Sequence, residues 1–254
     1  MGCTVRRFFE VPAHVAIYVL AFLLAAVQAY DMYARPLPLA SVIEVANSSV
    51  VAMDCISVVQ TPGHVEALPT GIKYIPGKEI KHNILTAGFI SSPRYITTVA
   101  HGIEACKGNG SPYKVKMQVM FRNNPKTYFA KVVRYNRLHD VAILQLVGRV
   151  PYVEPLEILT EAPPAGTHVI ALGHPQFLFW SAAEGIVSAD RWSTDPLMHV
   201  IQVSCPINHG NSGGPVINDK GQVVGITSFY IDNPSLGFIV AGDFVKAVAY
   251  GLHP

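Results

Sequence analysis

Beyond Tyr30 the sequence is a succession of short β-branched and aromatic runs, each closed by glycine, proline, asparagine or aspartate. That rhythm predicts an all-β barrel or sandwich. Candidate strands are residues 50–60, 84–90, 95–99, 115–121, 128–135 and 141–146. A second set covers residues 168–172, 184–188, 199–204, 214–217, 223–229 and 237–240. Val150-Pro151-Tyr152-Val153-Glu154-Pro155 lies between the sets as a joint, dividing the chain into residues 46–150 and 151–254. Asn218-Asp219-Lys220-Gly221 supplies a hairpin turn. Residues 61–82, with Pro62, Gly63, Pro69, Gly71, Pro76 and Gly77, read as an extended loop. One helix closes the chain: Asp243 can cap it, Phe244, Val245, Val248 and Ala249 lie near helical spacing, and Gly251 can end it.

Half of the 254 residues are apolar and only 14% are charged, against a usual charged share of about 25%. A chain of this kind can build a sizeable core and is not disordered. A net charge of +2, with no basic run beyond Arg6-Arg7, argues against nucleic acid as a partner. Those two arginines precede residues 15–27, where Tyr18 is the one polar side chain. Two readings of residues 1–29 stand: a signal peptide cut after Ala29, or an anchor running from 11 to 29 with His14 as its costly member. Either takes the rest of the chain out of the cytoplasm, with residues 30–45 as a linker. Of the four cysteines, Cys3 belongs to the leader; Cys55, Cys106 and Cys205 are read as small buried hydrophobes. Cys55 with Cys106 is the pair to test for a bridge. Asn47-Ser48-Ser49 and Asn109-Gly110-Ser111 are sequons.

The strongest chemical signal is Gly210-Asn211-Ser212-Gly213-Gly214-Pro215. A serine hydroxyl is a weak nucleophile and needs both a base and donors for the oxyanion it creates. Flanking glycines permit a tight turn that aims backbone N–H groups at one point. Gly210, Asn211 and Ser212 are therefore the expected oxyanion hole, with the N–H groups of Gly210 and Ser212 as donors. An α/β-hydrolase elbow would place its acid and histidine after the serine, but the sole histidine in residues 213–254 is His253. The base must lie upstream. His101 stands out because the β-run Tyr95-Ile96-Thr97-Thr98-Val99-Ala100 leads to it and His101-Gly102 reads as a turn. His82, His139, His168, His174, His199 and His209 default to surface or structural roles. The buried acid that orients such a base is chosen among Asp140, Asp190 and Asp195. Asp140 heads the apolar run Val141-Ala142-Ile143-Leu144-Gln145-Leu146, whereas the other two flank a loop. No spacing suggests zinc, and neither metal nor cofactor is expected.

In the order His, Asp, Ser, these stretches resemble the chymotrypsin superfamily, and more closely its HtrA/DegP-like branch. Thr97-Thr98-Val99-Ala100-His101 resembles the histidine motif and His139-Asp140-Val141-Ala142-Ile143-Leu144 the aspartate motif. Gly173-His174-Pro175, Glu184-Gly185-Ile186-Val187-Ser188 and Asn208-His209 through Gly214-Pro215 are similar to that branch's approach to its site. The resemblance covers roughly residues 45–250. It implies two six-stranded antiparallel Greek-key barrels with a C-terminal helix, here preceded by an N-terminal hydrophobic helix. The implied activity is that of a serine endopeptidase acting on exported proteins, and the implied catalytic triad is His101, Asp140 and Ser212. It further places Pro206, Ser228, Phe229, Tyr230 and Gly237 around the primary specificity pocket. With no carboxylate among them and the Tyr230 ring shortening the pocket, small to medium apolar residues are expected before the scissile bond. Ser228 to Tyr230 would pair with substrate as an added strand.

The departures from that branch matter as well. The chain ends after its closing helix, so no PDZ domain is expected. Asn211 stands where an acidic residue supports zymogen-type activation. Tyr30 and Tyr33 either help pack a trimer, as in the HtrA branch, or lie in an exposed linker. A non-catalytic or chaperone-like binding module on the same fold is the alternative, whose signature would be a missing triad member or a broken Gly210 to Pro215 loop.

Overall fold

A computed structural model describes residues 18, 21–25, 37–60, 64–68, 71–75, 79–107, 110–194, 197–231 and 233–250. Residues Met1–Pro38 and Leu39–Pro254 form separate compact units. In the first, Tyr18 and residues 21–25 are helical. The rest of the leader, Tyr30, Tyr33 and Asn109 fall outside the described residues. Among the described residues no helix is long and apolar enough to cross a membrane.

The second unit opens with helix α1 (Leu39–Ser49), which runs directly into strand β1 (Val50–Gln60). Strands β2 (His64–Leu68), β3 (Gly71–Ile75), β4 (Glu79–Ser92) and β5 (Tyr95–Thr98) follow, then helix α2 (Ala100–Lys107). Strands β6 (Lys116–Phe121), β7 (Thr127–Asn136) and β8 (Val141–Val147) complete a closed antiparallel barrel in the order β1-β4-β5-β8-β7-β6. A second closed barrel contains β9 (His168–Gly173), β10 (Ser181–Thr194), β11 (Leu197–Val203), β12 (Pro215–Ile217), β13 (Val223–Ile231) and β14 (Asn233–Ala241). Its order is β10-β11-β14-β13-β12-β9, and helix α3 (Gly242–Tyr250) closes the fold.

Period-two patterning explains how the strands sit. In β6, Met117, Val119 and Phe121 are buried while Lys116 and Gln118 face solvent. Strand β8 is buried on both faces. Ala142, Leu144 and Leu146 fill the first barrel, whereas Val141 and Ile143 enter a cluster shared with Ile170, Leu172 and Ile226 of the second. That shared cluster, joined by Val42 and Ala46 of α1 and Phe244, Val245 and Val248 of α3, holds the barrels together along a seam.

Four expectations need correction. Residues 39–45, read as linker, lie in α1, whose inner face is buried through Val42 and Ala46, one turn apart. The same helix makes Asn47 only 2% exposed, which leaves the first sequon inaccessible. Residues 61–82 are not one extended loop: β1 and β4 pair out to Gln60 and Glu79, and β2 pairs with β3. His101-Gly102 is not a turn after a strand but the first turn of α2, where Gly102 lies so close to Thr86 that a Cβ would meet its Oγ1 at 3.0 Å. Finally, Cys55 and Cys106 form a disulfide, so buried free thiols describe only Cys205.

Candidate active site

At the seam, the turn entering β8 gives Asp140 a φ of 52°, a left-handed conformation that aspartate tolerates better than most residues. The turn is closed by His139 N–H donating to Asn136 Oδ1 at 3.0 Å and Asp140 N–H to Arg137 O at 3.3 Å. The Asp140 carboxylate then accepts three hydrogen bonds. The His101 backbone N–H reaches Oδ1 at 2.8 Å, His101 Nδ1 reaches Oδ2 at 2.8 Å, and Ser228 Oγ donates to Oδ2 at 2.5 Å. An ionised carboxylate can only accept, so Nδ1 carries the proton and Nε2 is left as an acceptor. The Asp140 side chain is 16% exposed and that of His101 49%: the carboxylate is enclosed and the imidazole faces an open cleft.

Helix α2 is fixed from behind. The disulfide ties its Cys106 to β1 across a Cα–Cα distance of 6.0 Å. The Tyr135 hydroxyl of β7 donates to Glu104, holding that carboxyl below its usual range, with Lys107 adding to the effect. Burial pushes the thiol of Cys205, the free cysteine among the described residues, up to about 11, which makes it an inert core group.

The loop before β12 presents Ser212. Its carbonyl accepts from Ala87 N–H at 2.8 Å and Thr86 Oγ1 at 2.7 Å, so the first barrel grips the serine loop of the second. Gly210 and Gly213 have φ of 98° and 83°. A Cβ on Gly210 would come within 2.2 Å of His174 O, and one on Gly213 within 2.2 Å of Thr98 Oγ1. Because a trans peptide points its N–H away from its C=O, the carbonyl partners set the donors. Gln176 N–H holds His209 O at 2.8 Å, which aims the Gly210 N–H; Gly214 N–H holds Asn211 O at 2.8 Å, which aims the Ser212 N–H. Among the described residues, neither donor is bonded to a backbone carbonyl. The Asn211 N–H, by contrast, is engaged with Asn208 O at 3.0 Å. This fits the expectation that Gly210 and Ser212, and not Asn211, carry the donor N–H groups of the loop.

His101 and Ser212 line one cleft of about 480 Å³, and among the described residues no hydrogen bond joins their side chains; hydrogen bonds of this kind are often long or poorly aligned outside the complex with substrate. Among the described residues no group of three or more His, Cys, Asp or Glu side chains could hold a metal.

The expected pocket residues have mixed placements. Pro206 is exposed, and Phe229 is exposed with its ring stacked on Phe238 at 5.0 Å. The Tyr230 backbone pairs with Gly237, where a Cβ would meet Ile207 Cγ1 at 2.4 Å; the Tyr230 ring lies outside the described residues. Ser228, expected as part of the pocket wall, is buried and its hydroxyl is bonded to Asp140. Two further residues matter here: His174, for which the sequence suggested only a surface or structural role, and Trp180, which it did not single out. His174 is fully buried, and burial pushes its imidazole down to about 4; Nδ1 accepts the Trp180 N–H at 3.0 Å. Trp180 in turn donates its indole N–H to Val50 O at 3.3 Å. The Trp180–Val50 bond joins positions 130 apart, and the Gly173-His174-Pro175 stretch does not by itself announce the burial of His174 or its bond to Trp180.

The profile of the trypsin-like peptidase domain matches residues 86–226. The chain belongs to the trypsin-like peptidase family. The match begins at Thr86 and takes in His101, Asp140 and Ser212, but stops short of Ser228. Its relatives lie in the HtrA branch. Serine protease Do-like HtrB of Bacillus subtilis is 31% identical over 172 residues, covering 62% of this chain and 35% of the relative. Magnetosome formation protease MamE of Paramagnetospirillum magneticum is 28% identical over 217 residues, covering 80% and 29%. The chain thus spans about a third of the length of the curated relatives it matches. Among solved structures, the active form of the M. tuberculosis Rv3671c protease superposes with a TM-score of 0.64 at 24% identity, covering 83% of each chain. The HtrA-type protease AlgW with a decapeptide gives 0.66 at 19% identity, covering 85% of this chain and 67% of that one. At such identities these structures speak for the two-barrel fold of the family and no more.

Proposed function

We propose that this trypsin-like peptidase family member is a serine endopeptidase that cleaves exported proteins outside the cytoplasm. The observation carrying the proposal is the Asp140–His101 bridge, with both the ring and the backbone N–H of His101 held by one carboxylate, opening onto the cleft that Ser212 shares. In the reaction, His101 Nε2 takes the proton from Ser212 Oγ as the oxygen attacks the scissile carbonyl. The Gly210 and Ser212 N–H groups receive the oxyanion of the tetrahedral intermediate. His101 then hands its proton to the departing amine, leaving an acyl-enzyme that water hydrolyses by the same steps. Asp140 keeps the tautomer and stabilises the imidazolium, while Ser228 holds Asp140.

Small to medium apolar residues are preferred before the scissile bond. Two features support this: Ile207 fills the space beside Gly237, and no carboxylate stands among Pro206, Ser228, Phe229, Tyr230 and Gly237. The test is hydrolysis of casein and a peptide library by the full chain and by Ser212→Ala, each with and without a serine-directed phosphonate. Cleavage by wild type alone, abolished by the phosphonate, is expected, with apolar residues dominating the position before the cut. Equal cleavage by Ser212→Ala would overturn the mechanism, and a profile dominated by Arg or Lys would overturn the pocket assignment.

A further inference from the structure

The cleft that holds His101 and Ser212 is built asymmetrically. One wall comes from Ile84 and Leu85 of β4 with Ala105 of α2, and the other from Gln176 and Phe177 of the second barrel. Its lining includes Gly210 and Ser212 but, among the described residues, none of β13, along which the acyl part of a substrate is proposed to run. A peptide that leaves β13, crosses Ser212 and continues must therefore enter this cleft with the residues that follow the scissile bond. His101, which passes its proton to the leaving amine, lines the same space.

The segment carrying Phe177 has an unusual backbone. Gln176, Phe177 and Trp180 have φ of 49°, 65° and 56°, a region where bulky residues are outliers. Strain of this kind persists only where the surroundings over-determine it, and it concentrates at ligand clamps and functional sites. Here the surroundings are explicit. Phe177 N–H donates to His174 O at 3.2 Å and Leu178 N–H to Pro175 O at 2.8 Å, while Trp180 is tied to His174 Nδ1 and Val50 O. Core packing does not account for the ring: Phe179 and Trp180 pack on His174, whereas Phe177 remains 59% exposed and forms part of the cleft wall.

We infer that Phe177 is a specificity-determining residue, the wall of an apolar subsite for the side chain immediately following the scissile bond. This rests on the serine endopeptidase reading above. An apolar side chain seated there is covered by Phe177, Ile84, Leu85 and Ala105, and removing such a side chain from an apolar pocket typically changes the specificity ratio by about 10-fold or more. The adjacent Gln176 N–H holds the His209 carbonyl and so the Gly210 donor. A side chain resting on this segment thus bears on the oxyanion hole, and the preference is expected in kcat as well as in KM.

The experiment compares two peptides identical up to the scissile bond and differing after it only in Leu against Ser, cleaved by the full chain. The expected ratio of kcat/KM, Leu over Ser, is about 10 or more for wild type. It falls close to 1 in Phe177→Ala and is largely kept in Phe177→Leu. Being taken within each protein, the ratio does not depend on how much of a variant is folded. A wild-type ratio near 1, or one that survives Phe177→Ala, overturns the inference. Labelling by a phosphonate that occupies only the acyl side separates the two levels. Labelling and cleavage with a flat ratio reject the subsite alone; absence of both rejects the endopeptidase reading and the subsite with it.

Discussion

One methyl group at Gly210 should remove an oxyanion donor while both barrels stay folded. The residue has a φ of 98°, and a Cβ would stand 2.2 Å from His174 O, so one side must give. His174 is fully buried, its ring accepts from Trp180, and its carbonyl already accepts from Phe177 N–H. The peptide between His209 and Gly210 is thus the part that turns, carrying the donor off its line. Loss of one such donor costs about 10² to 10³ in kcat, or roughly 3–4 kcal/mol of transition-state stabilisation. A side chain at this φ also destabilises the fold by about 1–2 kcal/mol. Gly221→Ala provides the control. It meets the same backbone penalty, with a φ of 79°, in a turn remote from the site where a Cβ finds only Val42 at 3.5 Å. Steady-state kinetics and thermal melting of both variants are the assay. Similar small losses in melting temperature, with kcat collapsing only in Gly210→Ala, are expected. A Gly210→Ala enzyme within about threefold of wild type, or an equal loss of kcat in Gly221→Ala, would refute the reasoning.

Other consequences follow from single contacts. Ser228→Ala removes the 2.5 Å donor on Asp140 and should lower kcat/KM roughly 10-fold, the worth of a hydrogen bond to a charged group; unchanged kinetics would free Ser228 of this role. Replacing both Cys55 and Cys106 by Ala opens a loop with a sequence separation of 51. It should cost about 4 kcal/mol and lower the melting temperature by roughly 10 °C, against no change if the bridge is idle. The buried His174 binds a proton less readily folded, at about 4, than unfolded, at 6.5. Its contribution is complete above about pH 6.5 and is lost as pH falls toward 4. Urea unfolding at these two pH values should show wild type losing on the order of 3 kcal/mol more than His174→Asn; parallel losses would contradict this.

Strand positions were legible from the residues themselves: β6 alternates apolar and polar as its burial does, and β8, buried on both faces, is a nearly continuous apolar run. The serine loop was legible because Gly210 and Gly213 are needed at positive φ, and His101, Asp140 and Ser212 stood out by what precedes or follows them. What lay hidden depends on tertiary partners. Helix α2 is short, contains Gly102 and has no acidic residue in its first turn, so its stability comes from the disulfide, Tyr135 and the packing on Thr86. Helix α1 lacks acidic residues at its start and basic ones at its end; only its contacts with the seam cluster make it a helix. The resemblance places Ser228 in the pocket wall, but nothing in the sequence shows that its hydroxyl bonds a carboxylate 88 positions away. The turn in which Asn211 N–H donates to Asn208 O is likewise a contact that the sequence does not announce.

The central claim is that Ser212 is a nucleophile activated by His101. Peptide mapping by mass spectrometry after reaction of the full chain with a fluorophosphonate tests it most directly. The account predicts a single adduct on Ser212, formed at a rate that drops by orders of magnitude in His101→Ala while the variant's melting temperature stays near wild type. An adduct on another residue, or labelling of Ser212 at equal rates in wild type and His101→Ala, would contradict it.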